Sequence, residues 1–306
     1  WYEPNSPHTK AFERRMLRSL IHSTVSDVSR KHGLGEEAVE GMLDRHVARE
    51  VDWTRFTALR VLGLDEIALA KGHRDFVTIV SARAPDGELA VLAVLPDRTK
   101  ETVKAFLDTI PERLKATVKQ VCTDMYEGYI NAVREALPQA QVVVDRFHVA
   151  KAYRACADTL RKQELKRLKA ELPEAEYAAL KGTLWLFRKN GADLSAEERE
   201  KLDRLFAHSP ALKAAYTLRE LLTEVFDTAP SKAQASVYLQ GWCGLVEECG
   251  LSCFDSFLTT LDNRLEEITN YFLDRQTSGF VEGLNNKIKV LKRRCYGLLN
   301  PARLFQ

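Results

Sequence analysis

The stretch "RVLGLDEIALA", residues 60–70, decides the fold, because it is an apolar run broken by a carboxylate pair. Val, Leu and Ile dominate it, and it is shorter than a typical helix. Two further runs of the same kind follow, "DFVTIVSAR" (75–83) and "ELAVLAVLP" (88–96). The turn residues "APDGE" (84–88) join these two, which reads as a hairpin. The pattern then alternates. A helix is expected at about 99–110, then an apolar run "ATVKQVCTD" (116–124), then a helix at roughly 127–137, then "AQVVVDRFH" (140–148). A three-strand meander followed by alternating units predicts a mixed α/β sheet with helices packed on it.

Upstream, residues 10–50 read as helices. "AFERRMLRSLIHSTV" places Phe12, Met16, Leu17 and Leu20 on one stripe. Two shorter helices flank "HGLG" (32–35), with Val25, Val28, Val39 and Leu43 as their expected core. The break has the length of the turn in a helix-turn-helix; a plain helical hairpin is the alternative. Downstream, residues 149–271 contain no convincing strand and read as an all-helical block, with Ser195 and Glu198 spaced as a capping box. A last helix begins at about 280. The expected organisation is therefore 1–55 helical, 56–150 mixed, 151–271 all-helical and 272–306 a final helix returning to the mixed domain.

Whole-chain totals exclude some classes. The 306 residues carry a formal net charge of +2, so any nucleic-acid surface must come from local clustering. No apolar run approaches the length of a membrane span, and the N-terminus is too polar for a signal peptide. The chain begins with Trp1, and the expectation is a piece of a longer protein. The six Cys form no C-x-x-C pair; they are read as reduced thiols of a cytoplasmic protein.

Three acids stand at or near strand positions. Asp65 lies in the first run, Asp124 ends "VKQVCTD", and Asp145 ends "QVVVD". A carboxylate in a buried strand is costly unless it is paired or bound to a cation. Any one of them is readily explained as a cap or turn residue; three together point to a site along one sheet edge. Clustered carboxylates without His or Cys suit a hard, oxygen-seeking cation such as Mg²⁺. There is no Walker-type Gly loop.

The stretch "TSGFVEGLNNKIKVLKRR" (277–294) supplies a further acid, Glu282, ahead of a segment in which five of eight residues are cationic. On an ideal helix Glu282, Asn286, Lys289 and Arg293 fall within about 60° of one another, apart from an apolar stripe through Leu284 and Ile288. Glu282 is thus a candidate metal ligand, with Lys289 and Arg293 as phosphate contacts beyond it. A solvated charged face is the alternative. Two strand acids and a late helical acid fit a two-metal phosphoryl-transfer site.

The blocks "GLDEIALAKGHRDFVTIV", "TDMYEGYINAVREALPQAQVVVDRFHVAK" and "SGFVEGLNNKIKVLKRRCYG" resemble those of the ISL-three insertion-sequence transposases, and the resemblance spans nearly the whole chain. It implies a ribonuclease-H-like fold with a large all-α insertion and an N-terminal helix-turn-helix. It implies a DDE triad of Asp65, Asp124 and Glu282 holding two Mg²⁺ ions, with Mn²⁺ as a substitute. Lys289 matches the basic residue that follows the third acid in such enzymes. Lys287, Lys292, Arg293 and Arg294 join it as candidate DNA contacts. Asp145, His148 and Asn286 are candidate supporting residues around the acids. A recognition helix at about 36–48, with Arg45 and Arg49 as its cations, would read terminal inverted repeats.

The implied activity is cleavage and strand transfer of an insertion sequence, acting on terminal-repeat and target DNA. The implied protein is a homo-oligomer on DNA, cytoplasmic and nucleoid-associated in a bacterium, with no membrane partner. Full-length members usually carry an N-terminal Cys-rich zinc-binding segment, which these residues lack. Two alternatives stand: a ribonuclease-H-like DNA nuclease, and a retired transposase acting as a DNA-binding regulator.

Overall fold

The computed structural model describes residues 1–2, 6–48, 50–70, 74–275, 279–294 and 305. The chain divides into two compact units, Trp1–Val142 with Ser278–Gln306, and Val143–Thr277.

The first unit opens with three helices, α1 Lys10–Leu20, α2 Val25–His32 and α3 Glu36–His46. Thr9 and Thr24 cap the first two by accepting the backbone N–H of Phe12 and Asp27. Gly33 ends α2 at φ 66°, a left-handed position that a side chain would strain, and this is why the break reads "HGLG". Met16, Val28, Val39 and Met42 form the small core. Met42 occupies the place expected for Leu43. With α3 starting at Glu36, its inward stripe runs Val39, Met42 and His46, and Leu43 is left half-buried at the flank.

That stripe meets a buried acid. Glu13 of α1 is fully buried, and its carboxylate accepts from Arg45 Nη2, Ser6 Oγ and His46 Nε2, each at 2.5 Å. Burial alone pushes the carboxyl upward. The hydrogen bonds from Arg45, Ser6 and His46, with the Arg45 charge, outweigh it and hold the group at about 2.

The sheet follows: β1 Val61–Ala70, β2 Arg74–Arg83, β3 Leu89–Leu95, β4 Gln120–Thr123 and β5 Gln141–Val144, in the order β3-β2-β1-β4-β5. The first three strands are an antiparallel meander, and β4 joins β1 in parallel. This mixed five-stranded sheet is the ribonuclease-H-like arrangement expected from the sequence. Between β3 and β4 run α4 Lys100–Asp108 and the one-turn α5 Glu112–Lys115, which the periodicity was too short to reveal. Helix α6 Glu127–Ala136 links β4 to β5. The strand expected to end at Asp145 stops at Val144, because Asp145 caps a helix that starts one residue later.

Alternation along the strands separates two faces. Leu62, Leu64, Val80 and Ala82 face Val103 and Leu107 of α4 and Ile130 and Val133 of α6. Ile67, Val77 and Ile79 form a second cluster, against which Ile288 of the last helix packs. Helices therefore cover both faces of the sheet.

After the last two residues of β5, the second unit is helical among its described residues: α7 Arg146–Glu171, α8 Glu174–Ala179, α9 Thr183–Arg188, α10 Ala196–His208, α11 Pro210–Thr228, α12 Lys232–Glu248, α13 Asp255–Asn263, α14 Leu265–Thr269 and α15 Tyr271–Asp274. Its core is aromatic. Tyr153 stacks on Phe254 at 4.9 Å, and Trp242 meets Tyr153 and Phe257 edge-on. Their polar atoms are satisfied by backbone: Tyr153 Oη donates to Ala215 O, and Trp242 Nε1 to Leu218 O. The helix α16 Gly279–Arg294 belongs to the first unit.

The buried carboxylate gives the N-terminal helices a pH limit. Glu13 titrates lower folded than unfolded, so its stabilisation is complete above about pH 4.5 and is lost as pH falls toward about 2. Glu13→Ala should lower stability by about 3 kcal/mol at neutral pH, since the bonds that hold the buried carboxyl at about 2 are lost with it. Denaturant melts followed by circular dichroism from pH 7 to pH 2 should show the gap between wild type and variant closing with acid.

Candidate active site

Parallel pairing of β1 with β4 is short: Val61 faces Gln120, Leu62 faces Val121 and Gly63 faces Cys122. Continued two residues past the last pair, the same register would bring Asp65 alongside Asp124, the residue that follows β4. Asp65 is at the fifth position of the ten-residue β1, inside the strand as it lies inside the apolar run. The strand that ends here is β4. Beyond Gly63, β1 continues with β2 as a two-stranded arm, pairing as far as Ala70 with Arg74. The acids thus lie where the sheet splits, and both are half-buried.

Each carboxylate is held by backbone. Asp65 Oδ1 accepts the N–H of Glu66 at 2.8 Å, and Asp124 Oδ1 accepts the N–H of Tyr126 at 2.9 Å. The other oxygen of Asp65 accepts from Asn285 Nδ2 of α16 at 2.5 Å. Asn285 is 1% exposed, and its Oδ1 is buried with no hydrogen-bond partner among the described residues. Ile288, one turn further along α16, packs on Ile67, Val77 and Ile79. One helix face therefore both packs on the sheet and reaches the first acid.

Tyr129 of α6 reports the field at this point. Its phenol is raised well above its ordinary range, first by burial, with the charges of Asp124, Glu66 and Asp65 adding to it. A bond with Thr78 opposes the rise: Tyr129 Oη lies 2.7 Å from Thr78 Oγ1, which donates to Asp97 O. Three carboxylates thus act on one ring.

Glu66, the residue after Asp65, pairs with Arg98 Nη1 at 2.8 Å. The Arg98 guanidinium lies over the rings of Phe76 and Tyr126, at 5.1 Å and 4.9 Å. Its pKa is raised, chiefly by the bond to Glu66.

The other residues singled out by sequence fall as follows. Glu282 lies in α16 one turn before Asn285, and its side chain lies outside the described residues, as do those of Lys292 and Arg294. Asn286, Lys287, Lys289 and Arg293 are exposed. The amide that reaches Asp65 is Asn285, not its neighbour Asn286. Asp145 is buried and caps α7, accepting the N–H of Phe147 at 3.2 Å. His148 sits half-buried on α7, edge-on to Phe147. Arg45 is committed to Glu13, and Arg49 lies outside the described residues. The expected recognition helix α3 exposes Glu36, Glu37, Glu40 and Asp44, whereas α1 exposes Arg14, Arg15 and Arg18.

Among the described side chains, no three of His, Cys, Asp or Glu gather to hold a metal. What is present suits a hard cation. Asp65 and Asp124 offer only oxygen donors, and neighbouring like charges favour a cation between them. The orphaned Asn285 Oδ1 is an acceptor that a hydrated ion would satisfy.

Sequence comparison agrees with the architecture. A transposase family model matches residues 62–306, and a model for the helix-turn-helix domain of transposase family ISL3 matches residues 1–47. The chain is 32% identical to the transposase for insertion sequence element IS1001 of Bordetella parapertussis, over 94% of this chain and 69% of that one. It is 24% identical to the transposase for insertion sequence element IS1557 of Mycobacterium tuberculosis, over 99% of this chain and 72% of that one. Among solved structures it resembles the Drosophila P element transposase strand transfer complex at 12% identity and a TM-score of 0.38, over 86% of this chain and 81% of that one. The chain belongs to the ISL3 family of insertion-sequence transposases.

Proposed function

We propose that Asp65, Asp124 and Glu282 form the acid triad of a DDE-type reaction centre that cuts and rejoins DNA. The observation that supports this reading is the β1–β4 register, which, continued two residues past Gly63 and Cys122, would bring Asp65 alongside Asp124. The bond from Asn285 to Asp65 supports the third member, because Glu282 lies one helical turn from Asn285.

In the first reaction, water adds to a phosphodiester at the element's end. A bond from the water oxygen to phosphorus forms, the bond to the 3′-oxygen breaks, and that oxygen leaves as a 3′-hydroxyl. In the second, this hydroxyl attacks a phosphodiester of target DNA, displacing another 3′-oxygen. Mg²⁺ or Mn²⁺ held by the acids would supply Lewis-acid stabilisation of the attacking and leaving oxygens.

The protein's part is position and charge. Backbone N–H groups of Glu66 and Tyr126 orient the first two acids. Lys287, Lys289 and Arg293, with Lys292 and Arg294, supply phosphate contacts along α16.

The helices of residues 1–55 would bind the terminal repeats. Phosphates repel the acids exposed on α3, and Arg45 is engaged by Glu13, so the arginines of α1 are the better phosphate contacts. Joining two element ends to one target requires at least two copies of the chain on DNA. The setting is the bacterial cytoplasm and nucleoid. Among the described residues, no helix is long and apolar enough to cross a membrane.

Asp65→Asn and Asp124→Asn should each lower cleavage of element-end DNA by about 100- to 1,000-fold or more, on the order expected when catalytic charge stabilisation is lost, while leaving DNA binding intact. Wild type should also join the cut ends to target DNA. Cleavage without joining would favour a nuclease, and equal activity of wild type and variants would remove these acids from the chemistry. Replacing Arg14, Arg15 and Arg18 together by Ala should weaken end binding and reduce the salt dependence by about one slope unit per lost phosphate contact. An unchanged slope would return the DNA contact to α3.

A further inference from the structure

We infer that Asn285 is a positioning residue of the reaction centre: it fixes the Asp65 carboxylate from α16 and ties the helix bearing Glu282 to the strand bearing Asp65. This rests on the proposed assignment of Asp65 and Glu282 as acids of the site.

Four observations carry it. The bond from Asn285 Nδ2 to Asp65 Oδ2 is 2.5 Å and joins residues far apart in the chain. Asn285 is 1% exposed although its neighbours Lys287 and Lys289 are exposed, so an amide has been taken out of water where an apolar residue would cost less. Its orientation is fixed by chemistry, since an ionised carboxylate only accepts hydrogen bonds and must face the NH₂ group. That leaves Oδ1 buried without a described partner, a cost that serves packing no purpose.

The consequence is geometric. Asp65 has two oxygens, and Glu66 N–H and Asn285 Nδ2 each take one, from the strand and from the helix. The carboxylate plane is thereby set, and the lone pairs left over have a fixed direction. A carboxylate so held loses less freedom when it takes a cation, and groups of this kind tune metal affinity by about 10- to 100-fold. A Leu at the same place would fill the space but leave Asp65 to rotate and α16 to slide.

The test uses Asn285→Leu, Asn285→Asp and, as a control for helix packing, Ile288→Ala. Mn²⁺ binding to the whole chain is measured by calorimetry without DNA, and cleavage of element-end DNA is measured against Mn²⁺ concentration and pH. Asn285→Leu should weaken Mn²⁺ binding about tenfold or more. Its cleavage should recover part of the loss at saturating metal, a shift in metal requirement that exceeds any in Ile288→Ala. Asn285→Asp sets two carboxylates in contact, which can keep the bond only by sharing a proton. Its activity relative to wild type should therefore rise as pH falls, whereas Asn285→Leu should run parallel to wild type.

Wild-type Mn²⁺ affinity in Asn285→Leu, an equal shift in Ile288→Ala, or a flat pH ratio for Asn285→Asp would overturn the inference. If Asn285→Leu does not fold, the pH ratio of the isosteric Asn285→Asp decides it. Failure of the acid assignment itself reads differently: Asp65→Asn would then cleave DNA like wild type, whatever the Asn285 variants do.

Discussion

Everything at the candidate site depends on where β4 stops. Had β4 run as far as β1, a strand ladder would occupy the space beside Asp65, and a second carboxylate in register would be a buried like-charge pair. Instead the ladder ends after Gly63 and Cys122, and β1 and β2 go on alone. The two acids stand two positions past the last pair, and their side chains are half-buried. A rigid sheet thus gives the carboxylates a fixed spacing, and the missing strand gives them room for a ligand.

The final helix meets the sheet, among its described residues, through Ile288 and Asn285. Ile288 anchors α16 on the apolar face made by Ile67, Val77 and Ile79, and Asn285 reaches Asp65 from the same side. The flank beside Asn285, turned away from Ile288, carries exposed Lys289 and Arg293. A single helix therefore joins apolar docking, an amide contact to the first acid and a cationic strip suited to a phosphate chain. The N-terminal helices use charge otherwise: the Arg45 guanidinium neutralises the buried Glu13 and holds α3 to α1. A cation near a recognition helix is thus not by itself a DNA contact.

Much of this was legible in the sequence because periodicity records burial. The meander, the alternating units and the helical block follow from where apolar residues repeat, and Asp65 and Asp124 stand out as carboxylates in apolar runs. Asn285 did not stand out. On a helical wheel it lies between the polar row through Glu282 and the apolar stripe through Ile288, and an amide at such a border reads equally as surface or core. Nor was the Glu13–Arg45 contact visible, since a Glu among arginines on an amphipathic helix looks solvated. Met42 and Leu43 are adjacent apolar residues, and only the starting turn of α3 decides which one points inward. The Glu66–Arg98 pair joins neighbouring elements across the sheet, which local spacing does not encode.

The central claim is that acids from β1, from the end of β4 and from α16 share one cation site. Fe²⁺ substituted for Mg²⁺, with ascorbate and peroxide, generates hydroxyl radicals that cut the polypeptide next to the bound ion. Mapping the fragments of the whole chain tests the claim directly. The expected result is three clusters of cuts, around Asp65, Asp124 and Glu282, all suppressed by excess Mg²⁺. Cuts near Asp65 and Asp124 with none near Glu282, or Mg²⁺-sensitive cuts confined elsewhere, would contradict it.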